Sequence, residues 1–325
     1  MRRMKRILLA LLAVIVVALV GGYAYMMLAF PNVGDAPDIS VAITPERVAR
    51  GKYLAENVSM CIDCHSKRDY SRFAAPVVPG TEGMGGERFD EKMGLPGTFT
   101  SSNITPAGLR EWTDGELYRA ITSGVSRDGR VLFPIMPYPN FGKMDKEDIY
   151  SIIAYLRTLP AIEHEVPKGE ANFPMSLIMR TIPASAAHET RPLPTDRVAY
   201  GKYLVNAAAC AECHTPMEKG APVPGKEFAG GSAFELPNGT LRTANLTPDR
   251  ETGIGAWTED MFVQRFKAYA DSAAHEVSVP EGGFNTVMPW LFYSRMTDED
   301  LRAIYAYLRT RKPVSNRVIP FTPRQ

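Results

Sequence analysis

Two stretches, Cys61-Ile-Asp-Cys-His65 and Cys210-Ala-Glu-Cys-His214, decide the fold of this chain. They contain all four of its cysteines, and each places a histidine directly after the second cysteine. Two thiols one helical turn apart can form thioethers to the two vinyl groups of one haem, and the adjacent imidazole can bind its iron. The sequence therefore predicts two covalently bound haem c groups, attached through Cys61, Cys64, Cys210 and Cys213 and ligated by His65 and His214.

Other uses of paired cysteines fit this spacing less well. A zinc site made from two Cys-x-x-Cys pairs normally has about 15–20 residues between them, whereas most of a domain separates the pairs here. A thioredoxin-like redox pair requires a βαβ setting, and the sequence offers none.

The chain repeats itself once around these motifs. Working outward from each motif, the matched segments are Arg47–Leu54 with Arg197–Leu204, Ser102–Pro106 with Ala244–Pro248, Trp112 with Trp257, Met136-Pro137 with Met288-Pro289, and Ala154–Thr158 with Ala306–Thr310. Two copies are too few for a solenoid, so we expect a duplicated module. The predicted divisions are an N-terminal membrane anchor or signal (1–30), a linker (31–46), a first domain (47–160), an inter-domain linker (161–196), a second domain (197–314) and a tail (315–325).

Each copy is predicted to consist of helices joined by loops rich in glycine and proline. Helical composition covers residues 48–56 and 198–206, and again 111–123 and 258–270. Asp145 and Thr297 are expected to cap the last helices, whose apolar residues fall at helical spacing. Because no stretch alternates as a strand does, the predicted fold class is all-α, with a haem supplying apolar bulk at the centre of each domain.

Methionine is the expected sixth ligand of each iron. His164, His188 and His275 do not occupy equivalent places in the two copies, whereas Met136 and Met288 do, each directly before a proline. A second equivalent pair, Met144 and Met296, is explained by a hydrophobic staple before each last helix. Met136 and Met288 are therefore the predicted axial ligands, and His/Met ligation raises the reduction potential and fills both axial positions, which favours electron transfer.

The N-terminus predicts a membrane span. Residues 7–30 carry no charge, Arg2, Arg3, Lys5 and Arg6 precede them, and Asp35 and Asp38 follow. About 20 apolar residues cross the hydrocarbon core, and the basic flank stays in the cytoplasm. A cleaved signal peptide is the alternative, although its apolar region is usually about 7–15 residues. Either way, the haem domains are expected on the periplasmic side of the inner membrane.

Charge excludes one class of partner. The net charge is +1, and outside the four N-terminal basic residues the acidic residues exceed the basic ones by three. Nucleic-acid binding requires clustered positive charge, so no nucleic-acid partner is expected.

These motifs together resemble class I cytochrome c domains and, more narrowly, the cytochrome subunits of membrane-bound alcohol and gluconate dehydrogenases. The narrower resemblance lies in Asn245–Asp249, Thr252–Gly255 and Phe133–Tyr138, and the likeness extends from Arg47 to Thr310. This chain has two haem motifs where those subunits typically carry three.

The resemblance implies how the helices cross and which side of each haem a ligand takes. Gly51 and Gly201 would let the first helix of each module cross closely against Tyr155 and Tyr307 of the last. His65 and His214 would be proximal ligands, and Met136 and Met288 distal ones.

Two function classes follow. The first is a membrane-tethered dihaem electron carrier between a periplasmic dehydrogenase or quinol-oxidising complex and a terminal oxidase or other acceptor, with no catalytic activity of its own. The second is a dihaem enzyme such as a cytochrome c peroxidase, which needs an open iron site. The matching Met-Pro loops favour the first.

Overall fold

The computed structural model describes residues 2–218 and 220–324. Within them lie twelve α-helices: α1 (Arg2–Ala29), α2 (Pro45–Tyr53), α3 (Cys61–Cys64), α4 (Asp114–Ser123), α5 (Tyr138–Phe141), α6 (Lys146–Leu156), α7 (Met175–Ile178), α8 (Arg197–Ala207), α9 (Cys210–His214), α10 (Glu259–Lys267), α11 (Trp290–Tyr293) and α12 (Asp298–Leu308). The same residues contain eight short strands: β1 (Arg88–Phe89), β2 (Gly97–Thr100), β3 (Glu170–Ala171), β4 (Met217–Glu218), β5 (Ala221–Pro222), β6 (Ala233–Leu236), β7 (Gly239–Arg242) and β8 (Phe321–Pro323).

The fold class predicted from sequence, all-α, is wrong, because three small antiparallel sheets accompany the helices. Their strand orders are β1-β2-β3, β4-β5 and β6-β7-β8. The strands are two to four residues long, which is too short to show the alternation on which a sequence-based assignment depends. One signal was available: Pro237-Asn238, between β6 and β7, is followed by Gly239, and this sequence is typical of a turn.

The predicted helices are present, with ends set by their caps. Thr113 and Glu116 form a reciprocal capping box on α4, and Thr258 caps α10. Asp145 and Thr297 accept from backbone N–H groups at the start of α6 and α12, as predicted. The first helix of the N-terminal half begins at Pro45, three residues earlier than the composition indicated, because Thr44 caps it.

The first and last helices of each half cross at a glycine. A Cβ added to Gly51 would lie 1.8 Å from the Ser151 carbonyl oxygen of α6, and one on Gly201 would lie 1.9 Å from the Ala303 carbonyl oxygen of α12. The same Cβ atoms would approach the Cβ of Tyr155 and of Tyr307 at 2.8 Å and 3.1 Å, as the resemblance implied. Only a residue without a side chain allows these helices to pack this closely.

The segments that follow α6 and α12 fold back in the same way. β3 comes from the region between the two halves and pairs with β2, while β8 comes from the C-terminal tail and pairs with β7. Each closes a three-stranded sheet whose other two strands lie between the Cys-x-x-Cys-His motif and the middle helix.

The two halves bind each other through exchanged tyrosines. Tyr53, at the end of α2, donates to Asp300 Oδ2 at 2.5 Å and accepts from the backbone N–H of Thr297 at 3.1 Å. Tyr203, its counterpart in α8, donates to Asp148 Oδ2 at 2.6 Å and accepts from the N–H of Asp145 at 3.2 Å. Each half therefore supplies a hydroxyl to the start of the other half's last helix.

A single hydrophobic core runs through both halves. Its fully buried members include the residues on the inner stripes of α6 and α12 and the methionines of the predicted staples: Ile149, Ile152, Leu301, Leu308, Met144 and Met296. Helix α1 contributes no buried residue and is long and apolar enough to cross a membrane.

Candidate functional site

The two Cys-x-x-Cys-His segments adopt nearly the same backbone conformation. The residue before the first cysteine, Met60 or Ala209, lies in the left-handed region with φ of 54° and 50°. This reverses the chain after α2 and α8 and starts a short helix that carries both cysteines. His65 follows α3 directly and His214 ends α9.

Each histidine is held by a hydrogen bond from Nδ1 to a backbone carbonyl. His65 Nδ1 lies 2.7 Å from the Ser102 oxygen, and His214 Nδ1 lies 2.7 Å from the Ala244 oxygen. A carbonyl can only accept, so Nδ1 carries the proton and Nε2 is left as the lone-pair nitrogen. Across residues 2–218 and 220–324, neither Nε2 has a hydrogen-bond partner.

Burial keeps these imidazoles neutral. It lowers the pKa of both His65 and His214, although the hydrogen bond to the carbonyl acts in the opposite direction. The neutral form is the one that ligates a metal.

Glycines let the segments that carry these carbonyls approach the histidines. The Gly85 N–H donates to the His65 carbonyl oxygen and the Gly230 N–H to that of His214, both at 2.8 Å. Both glycines have positive φ, and a Cβ on either would lie 2.5 Å from a backbone atom of Ser102 or Ala244. The position therefore requires glycine for two reasons, conformation and space.

The repeated Asn-x-Thr motif fixes the loop that carries those carbonyls. Asn103 Oδ1 accepts from both the N–H and the hydroxyl of Thr105, at 3.0 and 2.7 Å, while its Nδ2 donates to the Ile162 carbonyl oxygen at 2.8 Å. Asn245 makes the same contacts with Thr247, and with the Val314 oxygen at 2.8 Å. The chain after each last helix is thus tied to the residue next to the histidine's acceptor.

The predicted methionine ligands lie in matching turns. The Tyr138 N–H donates to the Met136 oxygen at 2.7 Å, and the Trp290 N–H donates to the Met288 oxygen at 2.8 Å. The intervening prolines have φ and ψ of −77° and 54°, and of −81° and 61°, which is an inverse γ-turn. Both methionines are half-buried and pack against the core.

The cysteines are free thiols with no disulfide between them. Burial raises the pKa of Cys61, Cys64 and Cys210 to about 12. Catalytic redox pairs instead lower a cysteine pKa to produce a thiolate. This environment does not favour a thioredoxin-like activity.

One buried tyrosine, Tyr293 of α11, lies beside the second motif. Its hydroxyl donates to the Ala208 oxygen at 2.9 Å, next to the second motif. Burial raises the pKa of Tyr293 well above its ordinary value. The counterpart in the first half is Phe141, so the sequence comparison of the halves gave this residue no role.

The residues present suit a covalently attached haem better than a bare metal ion. Among residues 2–218 and 220–324, no three His, Cys, Asp or Glu side chains come together as a metal site. Each motif instead offers two unpaired thiols beside one imidazole whose Nε2 has no partner among those residues. The chemistry of this donor set is that of haem attachment and proximal ligation.

The orienting carbonyls of Ser102 and Ala244 were missed by sequence reasoning. Backbone acceptors leave no mark on residue type, and the repeated Asn-x-Thr-Pro motif was the available signal. The predicted ligands are otherwise placed in equivalent settings in the two halves.

Comparison with known proteins shows that this chain is similar to cytochromes. Residues 198–312 match the cytochrome c family. The chain is 29% identical over 306 residues to the cytochrome c subunit of a quinone-type alcohol dehydrogenase of Gluconacetobacter polyoxogenes, covering 90% of this chain and 60% of that protein. It is 27% identical to the cytochrome c subunit of a gluconate 2-dehydrogenase of Pantoea cypripedii, covering 81% and 59%.

A further relative matches end to end. It is a dihaem c-type cytochrome of Cereibacter sphaeroides, 28% identical over 316 residues, or 94% of this chain and 98% of that protein. By contrast, the chain spans only about 60% of the length of the alcohol dehydrogenase subunits.

The resemblance to dehydrogenase cytochrome subunits is confirmed by these comparisons. They support covalently bound haem c as the cofactor and electron transfer as the general function.

Proposed function

We propose that this chain is a membrane-tethered dihaem cytochrome c. It would pass electrons from a periplasmic dehydrogenase or a quinol-oxidising complex to a terminal oxidase or another acceptor. The observation that carries the proposal is the duplicated ligand setting: two histidines, each with Nδ1 on a carbonyl at 2.7 Å and each next to a Cys-x-x-Cys pair.

The assignment of residues follows from this setting. Cys61 and Cys64 would attach one haem and Cys210 and Cys213 the other, in domains formed by residues 47–160 and 197–314. His65 with Met136, and His214 with Met288, would be the axial ligands. A haem bound in this way supplies a one-electron couple, and a thioether ligand raises its potential.

The protein's own contribution is to hold the ligands rigidly. The carbonyls of Ser102 and Ala244 fix the tautomer and orientation of each imidazole, and such partners raise the basicity of a ligating histidine. The γ-turns at Pro137 and Pro289 hold the methionines in conformations that no helix could supply. With both axial positions filled by protein, no position is left for a substrate, so the chain is proposed to be a carrier and not an enzyme.

The relatives support the choice of partner class. Two of the three relatives named above are cytochrome subunits of dehydrogenases, one of an alcohol dehydrogenase and one of a gluconate dehydrogenase. A dehydrogenase or an assembly containing one is therefore the proposed donor.

The tether is proposed from α1. Its 28 residues have a mean hydropathy of 2.8 in the most apolar stretch, and none is buried by the rest of the chain. Because basic residues precede α1, the positive-inside rule would place residues 31–325 on the periplasmic side.

The test is spectroscopic. We expect both ferric haems to be low-spin and to show the methionine-to-iron charge-transfer band in the far red. Met136→Ala and Met288→Ala should each abolish about half of this band, whereas Met217→Ala, which removes an exposed methionine, should leave it unchanged. A high-spin haem in the resting protein that binds cyanide or peroxide quickly would contradict the carrier and indicate a peroxidase.

A further inference from the structure

The end of helix α1 is attached to the segment that joins the two halves. The guanidinium of Arg180 donates through Nη2 to the Met27 oxygen at 3.2 Å and also to the Phe30 oxygen. A cation at the C-terminal end of a helix stabilises its free carbonyls. Arg180 is therefore fixed at the level in the bilayer where α1 ends.

That level is the headgroup region. A helix of 28 residues is about 42 Å long, and a bilayer with its headgroups is about 40–45 Å thick. Tyr23 and Tyr25, both exposed near the end of α1, are residues typical of the interface. A group that touches the last carbonyls of α1 thus lies among lipid headgroups.

A cavity of about 190 Å³ opens beside Arg180. Arg130 also lines this cavity, and the apolar part of the lining includes Phe99, Phe133 and Met179. The Nε atoms of Arg130 and Arg180 are both buried, and neither has a hydrogen-bond partner in the part of the chain that the structure describes. Within that part, neither arginine is paired with a carboxylate. Arg180 uses one amino group on the α1 carbonyls, and the charge of Arg130 contributes to the lowered pKa of Asp128, but each guanidinium keeps a buried Nε–H without a partner at this cavity. Two such groups at one cavity form a site for an anion.

Two exposed apolar side chains belong to the segment that contributes Met179 and Arg180 to this cavity. Phe173 is 80% exposed and Ile178 is 48% exposed, and both belong to the segment around α7. Apolar side chains next to arginine at the membrane surface are typical of a segment that lies in the interface.

We propose that Arg130 and Arg180 bind the phosphate of an acidic phospholipid, while Phe173 and Ile178 enter the acyl boundary. The N-terminal half would then have a second contact with the membrane besides α1, and one face of it would be held towards the bilayer. This inference depends on the proposed tether.

The test uses the full holoprotein reconstituted into phosphatidylcholine vesicles. The probes are spin-labelled phosphatidylglycerol and spin-labelled phosphatidylcholine, and the measurement is the relative association of each with the protein. We expect the wild type to prefer phosphatidylglycerol by about ten-fold, as suits one charge-assisted contact. Arg130→Gln should remove most of that preference, and Arg250→Gln, the same change at an exposed arginine of the other half, should keep it.

Four results would overturn the inference. Equal association of the two probes would do so, and so would displacement of the lipid by millimolar inorganic phosphate, which indicates a free-anion site. A third is an Arg130→Gln variant with unchanged lipid preference but a shifted haem midpoint potential, which would assign the arginine to a haem propionate. Finally, protein that fails to enter vesicles at all would refute the tether as well, whereas protein that enters without preference refutes the lipid site alone.

Discussion

Tyr203→Phe tests whether the exchanged tyrosines hold the two halves together. The change removes one hydroxyl that donates to the buried Asp148 carboxylate at 2.6 Å and accepts from the Asp145 N–H at 3.2 Å. A hydrogen bond to a charged group contributes about 1.5–3 kcal/mol, and an orphaned partner adds to the loss. We therefore expect unfolding to become easier by about 2–4 kcal/mol.

The assay is urea unfolding in mild detergent, followed by far-UV circular dichroism. Tyr138→Phe is the matched control, because the Tyr138 hydroxyl is also buried but has no hydrogen-bond partner in residues 2–218 and 220–324. Its removal should leave stability unchanged or raise it. Adding Tyr53→Phe to Tyr203→Phe should lower the urea midpoint further, because both exchanged contacts are then gone. The reasoning is refuted if Tyr203→Phe costs no more than Tyr138→Phe.

Three further changes test the packing, the loop brace and the buried charge. Gly201→Ala places a Cβ 1.9 Å from a carbonyl oxygen of α12, so it should destabilise the protein by about 3 kcal/mol through overpacking. Gly22→Ala, where a Cβ would meet nothing within 4 Å, should not destabilise the protein. Thermal unfolding of the two variants makes the comparison. Asn245→Ala should cost about 2–3 kcal/mol in urea, because four side-chain hydrogen bonds are lost, two of them buried. Burial alone would raise the pKa of Asp148, but two arginines and a tyrosine hydroxyl lower it below 3.8. The stability that ionised Asp148 contributes is therefore fully present above pH 3.8 and is lost as the pH falls through the lower pKa of the folded state. Asp148→Asn should cost about 3–5 kcal/mol at neutral pH. In a plot of the urea midpoint against pH, the variant should lose less stability at acidic pH than the wild type does.

The sequence could predict whatever depends on residue type at regular spacing. The caps Asp145 and Thr297 are of this kind, because each is visible within one helix. The glycine crossings at Gly51 and Gly201 were implied instead by the resemblance to class I cytochrome c domains. The strands were not predictable in the same way. β3 has two residues in a proline-rich stretch, and only its partner β2, about seventy residues earlier, makes it a strand.

The site shows the same division. The cysteines and histidines were identifiable because their chemistry depends on side chains at fixed spacing. The acceptors that orient the histidines are backbone carbonyls, for which Ser102 and Ala244 serve equally well, so the residue type carries no information. The exchanged contacts of Tyr53 and Tyr203 were not predictable either, because each joins a tyrosine of one half to the start of a helix in the other half.

The two candidate haem sites have the same predicted ligands but different buried charge. Asp63, within the first motif, is 4% exposed and lies 3.3 Å from Arg68, itself largely buried. Glu212, at the same position of the second motif, is exposed. A buried carboxylate acts through a lower effective dielectric than an exposed one, and a negative charge near iron favours the ferric state. Asp63→Asn should therefore raise one midpoint potential in a redox titration by more than Glu212→Gln raises the other. Equal shifts in the two variants would mean that burial at the motif does not control the difference between the sites.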